Sequence, residues 1–141
     1  MIASRFDRFY FIGIGGIGMS AIARLLLQRG FTVAGYDKTP SELTDALVAE
    51  GAQISFADEV SSIPAACTDA GRTLVIVTPA VPAQNAIPQW FAAQNFEQVK
   101  RAKALGMITA DGICLAVAGT HGKTTTTTLL VTTLLLLAQV L

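Results

Sequence analysis

The stretch Phe9-Tyr10-Phe11-Ile12-Gly13-Ile14-Gly15-Gly16-Ile17-Gly18-Met19-Ser20 decides the fold. Its first half is apolar throughout, as in a strand of a parallel sheet covered on both faces, and Phe9 to Ile14 is predicted as that strand. Gly13 to Gly18 then matches G-x-G-x-x-G. Glycines at this spacing allow a tight turn, a close approach of backbone to a diphosphate, and close packing of helix on strand. Ile17 to Arg29 is predicted as a helix with Ile17, Ala21, Ile22, Leu25 and Leu26 on one buried face, ended by Gly30. Phe31 to Tyr36 is the second strand. Asp37 closes it about twenty residues after the glycines, where an acidic side chain reaches ribose hydroxyls. Alone, the glycine pattern is weak. With a strand before it, a helix and a strand after it and a terminal Asp, it points to a βαβ nucleotide-binding unit.

The same alternation continues along the chain. Ser41 is placed to N-cap a second helix carrying Leu43, Ala46 and Leu47, which Gly51 stops. Gln53 to Phe56 reads as a third strand, and the polar stretch 58–72 as a helical turn with a surface loop. Thr73 to Val77 is a fourth strand. Thr78-Pro79-Ala80-Val81-Pro82 leaves its carboxyl end, and is expected to line the same crevice as Gly15 to Ser20 and Asp37. Pro88 to Asn95 is predicted as a helix whose Trp90 and Phe91 serve the core, Phe96 to Val99 as a fifth strand, and Lys100 to Thr109 as a further helix. The expected architecture is α/β: a Rossmann-like parallel five-stranded sheet with helices on both faces, over residues 1–111.

A second signature follows at about a hundred residues' distance. Ile113-Cys114-Leu115-Ala116-Val117 is an apolar run predicted as a buried strand, with Cys114 as a small buried hydrophobe. Then comes Gly119-Thr120-His121-Gly122-Lys123-Thr124-Thr125, in the order of a phosphate-binding loop. Its glycines let backbone N–H groups cradle phosphate oxygens, Lys123 can reach the β- and γ-phosphates, and the Thr124 hydroxyl can ligate Mg²⁺. The strict pattern wants glycine where Val117 stands, so this is a shorter form. Leu129 to Leu141 carries no charge, is too short for a membrane span, and is predicted as the buried helix that follows such a loop. Residues 112–141 thus read as a truncated strand-loop-helix.

Composition narrows the function classes. A chain of 141 residues suffices for one cored domain. The formal net charge is zero and no basic run occurs, which removes the electrostatic basis for a nucleic-acid partner. An anionic ligand must therefore be held by loops and helix ends. Two cysteines, Cys67 and Cys114, make no disulfide framework. Arg5, Arg8 and the apolar run after them imitate a signal peptide, but Gly13, Gly15, Gly16 and Gly18 break the run.

Two phosphate signatures in this order bring a family into view. The chain resembles the N-terminal part of the Mur ligases, ATP-dependent ligases of bacterial peptidoglycan precursor synthesis. The resemblance rests on Phe11 to Ser20, Gly35-Tyr36-Asp37, Thr78 to Pro82, Lys100-Arg101-Ala102 and Ala116 to Thr125. It implies a cytoplasmic enzyme that uses ATP and Mg²⁺ to join L-alanine to UDP-N-acetylmuramate through an acyl phosphate. It implies that Gly15, Gly16, Ile17, Gly18, Met19 and Ser20 hold the UDP diphosphate, and that Asp37, Thr78, Pro79 and Ala80 face the uridine. Gly119, Thr120, His121, Gly122, Lys123, Thr124 and Thr125 would hold ATP, with Lys123 and Thr124 acting on the transferred phosphoryl group and Thr124 on the metal. Residues 1–111 would be the UDP-sugar domain and 112–141 the start of the ATP domain, so the chain alone is expected to bind UDP-sugar without turnover. Its apolar tail is expected to pack on the first domain or on a second copy, giving a homodimer. The alternative is an NAD-binding regulatory or oxidoreductase domain, which explains Gly13 to Asp37 and leaves Gly119 to Thr125 without a role.

Overall fold

The structure, a computed structural model, describes residues 5–110 and 113–138. Five strands form one parallel sheet: β1 (Arg8–Ile12), β2 (Thr32–Tyr36), β3 (Gln53–Ser55), β4 (Thr73–Val77) and β5 (Gln98–Lys100). Their spatial order is β3-β2-β1-β4-β5. Five α-helices accompany them: α1 (Ile17–Gln28), α2 (Glu42–Ala49), α3 (Ala86–Ala93), α4 (Arg101–Thr109) and α5 (Lys123–Ala138), with two 3₁₀ turns between β3 and β4. The predicted doubly covered parallel sheet is therefore present.

Alternation along β1 divides the core. Phe9 and Phe11 face one side, where they pack with Met19, Ile22, Ala23 and Leu26 of α1, Leu47 of α2, and Ala104 and Ile108 of α4. Tyr10 and Ile12 face the other, with Ile87 and Phe91 of α3, Phe96 and Cys67. Phe91 is fully buried and Trp90 stacks edge-on against it, so both belong to the core as predicted. The buried stripe of α1 runs Met19, Ile22, Ala23, Leu26, at the i, i+3, i+4, i+7 spacing. Ile17, predicted on that face, is 84% exposed, and Ala21 is exposed as well. The helix begins at Ile17, outside the carboxyl edge of the sheet, so its first residue has nothing beneath it to pack on.

Strand ends differ from expectation for local reasons. Gly13 has φ +87°, which turns the chain out of β1 two residues before the predicted end. Asn95 is left-handed, with φ 57°, and Phe96 then donates its N–H to Phe91 O, so β5 starts only at Gln98. Asp58 accepts from the N–H groups of Ala86 (2.8 Å) and Ile87 (3.0 Å), which starts α3 two residues earlier than the proline suggested. Ser41 caps α2 as predicted, through a reciprocal pair with Thr44. The run Ile113–Val117 is not a strand. Among the described residues it has no neighbouring strand to pair with, Ile113 is 98% exposed, and Cys114 is exposed rather than buried. The helix after it forms, but none of its described residues is buried. It is thus not packed on the first domain.

Gly35 on β2 is required by the close approach of β1. A β-carbon there would lie 2.7 Å from Phe11 O and 2.9 Å from Ile14 Cδ1. Gly35→Ala is expected to cost about 1–3 kcal/mol by overpacking against backbone that cannot move aside. Urea unfolding reads this, with Gly106→Ala as a control, since a β-carbon there meets no atom and the backbone is not left-handed.

Candidate functional site

The sheet order reverses at β1: β2 lies on one side and β4 on the other. In such sheets the ligand crevice lies at the carboxyl ends of the strands beside this reversal. A cavity of about 380 Å³ opens there. Gly13, Gly15 and Gly16 line it from the β1–α1 loop, Asp37 to Ser41 from the β2–α2 loop, and Thr78, Ala80 and Val81 from the end of β4. Three segments that are far apart in sequence meet there, but of the expected Gly15 to Ser20 only Gly15 and Gly16 line the cavity. Pro79 instead lines a neighbouring cavity with Lys100 and Gln98.

Each glycine of the loop has a visible job. A β-carbon on Gly13 would lie 2.3 Å from Thr78 Cγ2, so Gly13 lets the loop and the β4 end touch. A β-carbon on Gly15 would lie 2.9 Å from Asp37 Oδ2. Gly15 N–H donates to that same oxygen at 2.7 Å, and Thr39 N–H donates to Asp37 Oδ1 at 3.2 Å. Asp37 thus ties two loops together before any ligand arrives. Gly16 is exposed, and a β-carbon there would meet nothing nearer than 3.7 Å, so its face is open to a ligand.

The backbone donors of Gly15 to Ser20 sort into two groups. Gly15 N–H is held by Asp37, and Ser20 N–H donates to Gly16 O at 2.8 Å. Ser20 is buried, with its hydroxyl turned to Ile17 O. The N–H groups of Ile17, Gly18 and Met19 form the first turn of α1, where no intrahelical acceptor exists. No side chain caps this end, and no acidic residue stands in the first turn. Three donors at the positive end of a twelve-residue helix are thus unclaimed, which suits an anionic group. Val81 lines the cavity as the segment 78–82 was expected to, and Lys38, Thr39, Pro40 and Ser41 line it without having been singled out for it in the sequence. Ser41 was visible there only as a helix cap.

The second loop, 119–125, runs into α5 and shares its first three residues with that helix. Gly119 and Gly122 have φ +155° and +75°, conformations that favour glycine. The N–H groups of Lys123, Thr124 and Thr125 open the helix. Lys123 Nζ donates to the carbonyls of Gly119 and Thr120, so the lysine folds over its own loop. The hydroxyls of Thr127 and Thr128 bond back to carbonyls one turn earlier, whereas the Thr124 hydroxyl makes no such bond. His121 Nδ1 lies 3.3 Å from Thr120 Oγ1 on the exposed surface. Among the described residues no cluster of three His, Cys, Asp or Glu could hold a metal alone, and no helix is long and apolar enough to cross a membrane.

A family model described as Mur ligase family, catalytic domain, matches residues 8–112. The chain belongs to the Mur ligase family. This Mur ligase chain is 53% identical over 118 residues to a UDP-N-acetylmuramate–L-alanine ligase of Porphyromonas gingivalis, covering 84% of the chain and 26% of the relative. It is 50% identical over 125 residues to the ligase of the same name from Flavobacterium johnsoniae, covering 89% of the chain and 28% of the relative. The chain spans about a quarter of the length of the curated relatives it matches. Its fold matches a murein peptide ligase of Psychrobacter arcticus with a TM-score of 0.75 at 26% identity, over 89% of this chain and 25% of that one. It matches a UDP-N-acetylmuramate–alanine ligase of Thermotoga maritima with a TM-score of 0.66 at 27% identity, over 74% of this chain and 23% of that one.

Proposed function

We propose that this Mur ligase chain holds UDP-N-acetylmuramate for a cytoplasmic ligase that joins L-alanine to it in peptidoglycan precursor synthesis. The observation that carries this reading is the set of unclaimed N–H groups of Ile17, Gly18 and Met19 beside the open face of Gly16, in a chain half identical to proteins of that name. The diphosphate would sit at the first turn of α1. Asp37 and Thr78 to Ala80 would face the uridine and its ribose. Asp37 carries two N–H bonds already and keeps lone pairs for hydroxyl donors. We take 1–111 as the UDP-sugar domain and 112–141 as the beginning of the ATP domain.

The chemistry follows from the weakness of a carboxylate as an acyl donor. The muramoyl carboxylate oxygen would attack the γ-phosphorus of ATP, and ADP would leave. The amine of L-alanine would then attack the acyl carbon, lose a proton, and expel phosphate. In this chain the loop 119–125 would hold the nucleotide. Lys123 would exchange its two carbonyl acceptors for phosphate oxygens. The Thr124 hydroxyl, free of a backbone bond, fits a site in which Mg²⁺ takes most ligands from phosphate and water. When bound, Mg²⁺ would supply charge neutralisation on the transferring group. His121 would orient substrate or loop from its place beside Thr120.

Gly16→Val fills the open face and is expected to abolish calorimetric binding of UDP-N-acetylmuramate while leaving the fold intact. Unchanged affinity in the folded variant contradicts the reading, and tighter binding of NADH than of UDP-N-acetylmuramate by the wild type would establish the dinucleotide alternative.

We further propose a homodimer through the tail. Leu129, Leu134, Leu135, Leu136 and Leu137 of α5 are all exposed. Each would gain roughly 1.5–3 kcal/mol from full burial. A second copy of the chain offers the matching apolar face, and a loop clamped there would keep only weak ATP affinity. Sedimentation velocity is expected to show a dimer at tens of micromolar; a monomer at that concentration contradicts the proposal.

A further inference from the structure

One wall of the crevice is long and tied down at few points. Residues 78–85 run from the end of β4 to the start of α3, and Thr78, Ala80 and Val81 of this segment face the cavity. Pro79 and Pro82 bring no N–H to it. Thr78 N–H donates to Ile12 O of β1 at 3.2 Å, which fixes the segment at its first residue. The bonds that follow stay inside it. Val81 N–H donates to Thr78 O at 3.3 Å, Asn85 N–H to Pro82 O at 3.2 Å, and Ala80 N–H to Thr78 Oγ1 at 3.4 Å. Turns of this kind shape the segment without placing it on the molecule.

The far end is held by Asp58, from the loop after β3. Its Oδ2 and Oδ1 accept from the N–H groups of Ala86 (2.8 Å) and Ile87 (3.0 Å), the first two residues of α3. Pro88 comes third and has no N–H, so the carboxylate completes the hydrogen bonding of this helix start. Asn85 stands at the cap position and is of a type that caps well, yet it makes no side-chain cap bond. A local cap was at hand, and the fold uses one from twenty-eight residues away. The Asp58 bond therefore links two loops as well as starting a helix. Burial raises the hydroxyl of Tyr36 above its usual range and the Asp58 and Asp37 carboxylates add to the rise, so Asp58 also lies close to the last residue of β2.

We propose that Asp58 is a positioning residue for the crevice. By fixing the α3 end of segment 78–85 it holds Thr78, Ala80 and Val81 in place as a wall opposite the β1–α1 and β2–α2 loops. Asp58 lies outside the lining of the cavity and acts through that wall. The proposal rests on the reading of this crevice as the UDP-sugar site.

The test compares the wild-type chain with Asp58→Ala, Asp58→Asn and Ile108→Val, each well below its unfolding transition. Ile108→Val shortens a fully buried side chain of α4, away from the crevice, and controls for lost stability alone. Backbone ¹⁵N order parameters are expected to fall in Asp58→Ala from about 0.85 to below about 0.6 at Ala80, Val81 and Ala83, with Phe11 and Gly35 of the central strands unchanged. Loss of a side-chain cap corresponds to about a three- to thirtyfold change in an equilibrium, and calorimetric affinity for UDP-N-acetylmuramate is expected to drop by that factor. Asp58→Asn keeps one acceptor oxygen and is expected to recover part of both losses, and Ile108→Val to show neither. Order parameters that stay high at 80–83 overturn the proposal, and so does a fall shared equally by Phe11 and Gly35, which would make Asp58 a general support of the fold. A mobile wall with unchanged affinity overturns it as well. If the wild type does not bind UDP-N-acetylmuramate, the reading of the crevice fails instead, and the order parameters alone decide whether Asp58 holds the wall. Should Asp58→Ala not fold, Asp58→Asn decides by the same two measurements.

Discussion

The hydrogen bond from Gly15 N–H to the Asp37 carboxylate ties together the parts of the crevice. It joins the β1–α1 loop to the end of β2, and through Thr39 N–H it holds the β2–α2 loop as well. It is possible only because position 15 has no β-carbon, since one would overlap the carboxylate oxygen. Gly13 repeats the constraint toward Thr78 at the end of β4. The crevice therefore exists because three loops can approach to within van der Waals contact at two glycines. The same bond takes Gly15 out of the set of free donors and leaves the task of holding an anion to the next turn of backbone.

That division suits a chain with no net charge. An anionic ligand cannot be drawn here by a basic face, so it must be met by donors fixed in position beforehand. The first turn of α1 supplies three, at no cost in side-chain order. The phosphate loop before α5 uses the same device with Gly119 and Gly122, but Lys123 there rests on its own carbonyls.

Much of this was legible in the sequence, and the failures share a cause. β4 was read to the residue because an apolar, β-branched run with turn residues on both sides leaves little freedom. The convergence of Gly15, Gly16, Asp37, Thr78 and Ala80 followed from the carboxyl-end rule for parallel sheets, whereas Ile17 to Ser20 and Pro79, expected with them, do not line that cavity. Ile17 was misplaced because periodicity reports a helix face without saying where the sheet beneath it ends. Ile113 to Val117 was misread because an apolar run has strand-like composition whether or not a partner strand is present. Cys114 followed it into error. The identity of Gly18's neighbour was invisible, since Arg101 lies eighty-three residues away in the chain and only the tertiary fold brings it to α1.

The central claim is that the ligand's diphosphate is held by the N–H groups the fold leaves unclaimed. An amide NMR titration of the ¹⁵N-labelled chain with UDP-N-acetylmuramate tests it most directly. The account predicts that the largest shifts fall on Ile17, Gly18 and Met19, with Gly15 little changed because Asp37 keeps it. Shifts centred elsewhere, with Ile17 to Met19 unmoved at saturation, would contradict it.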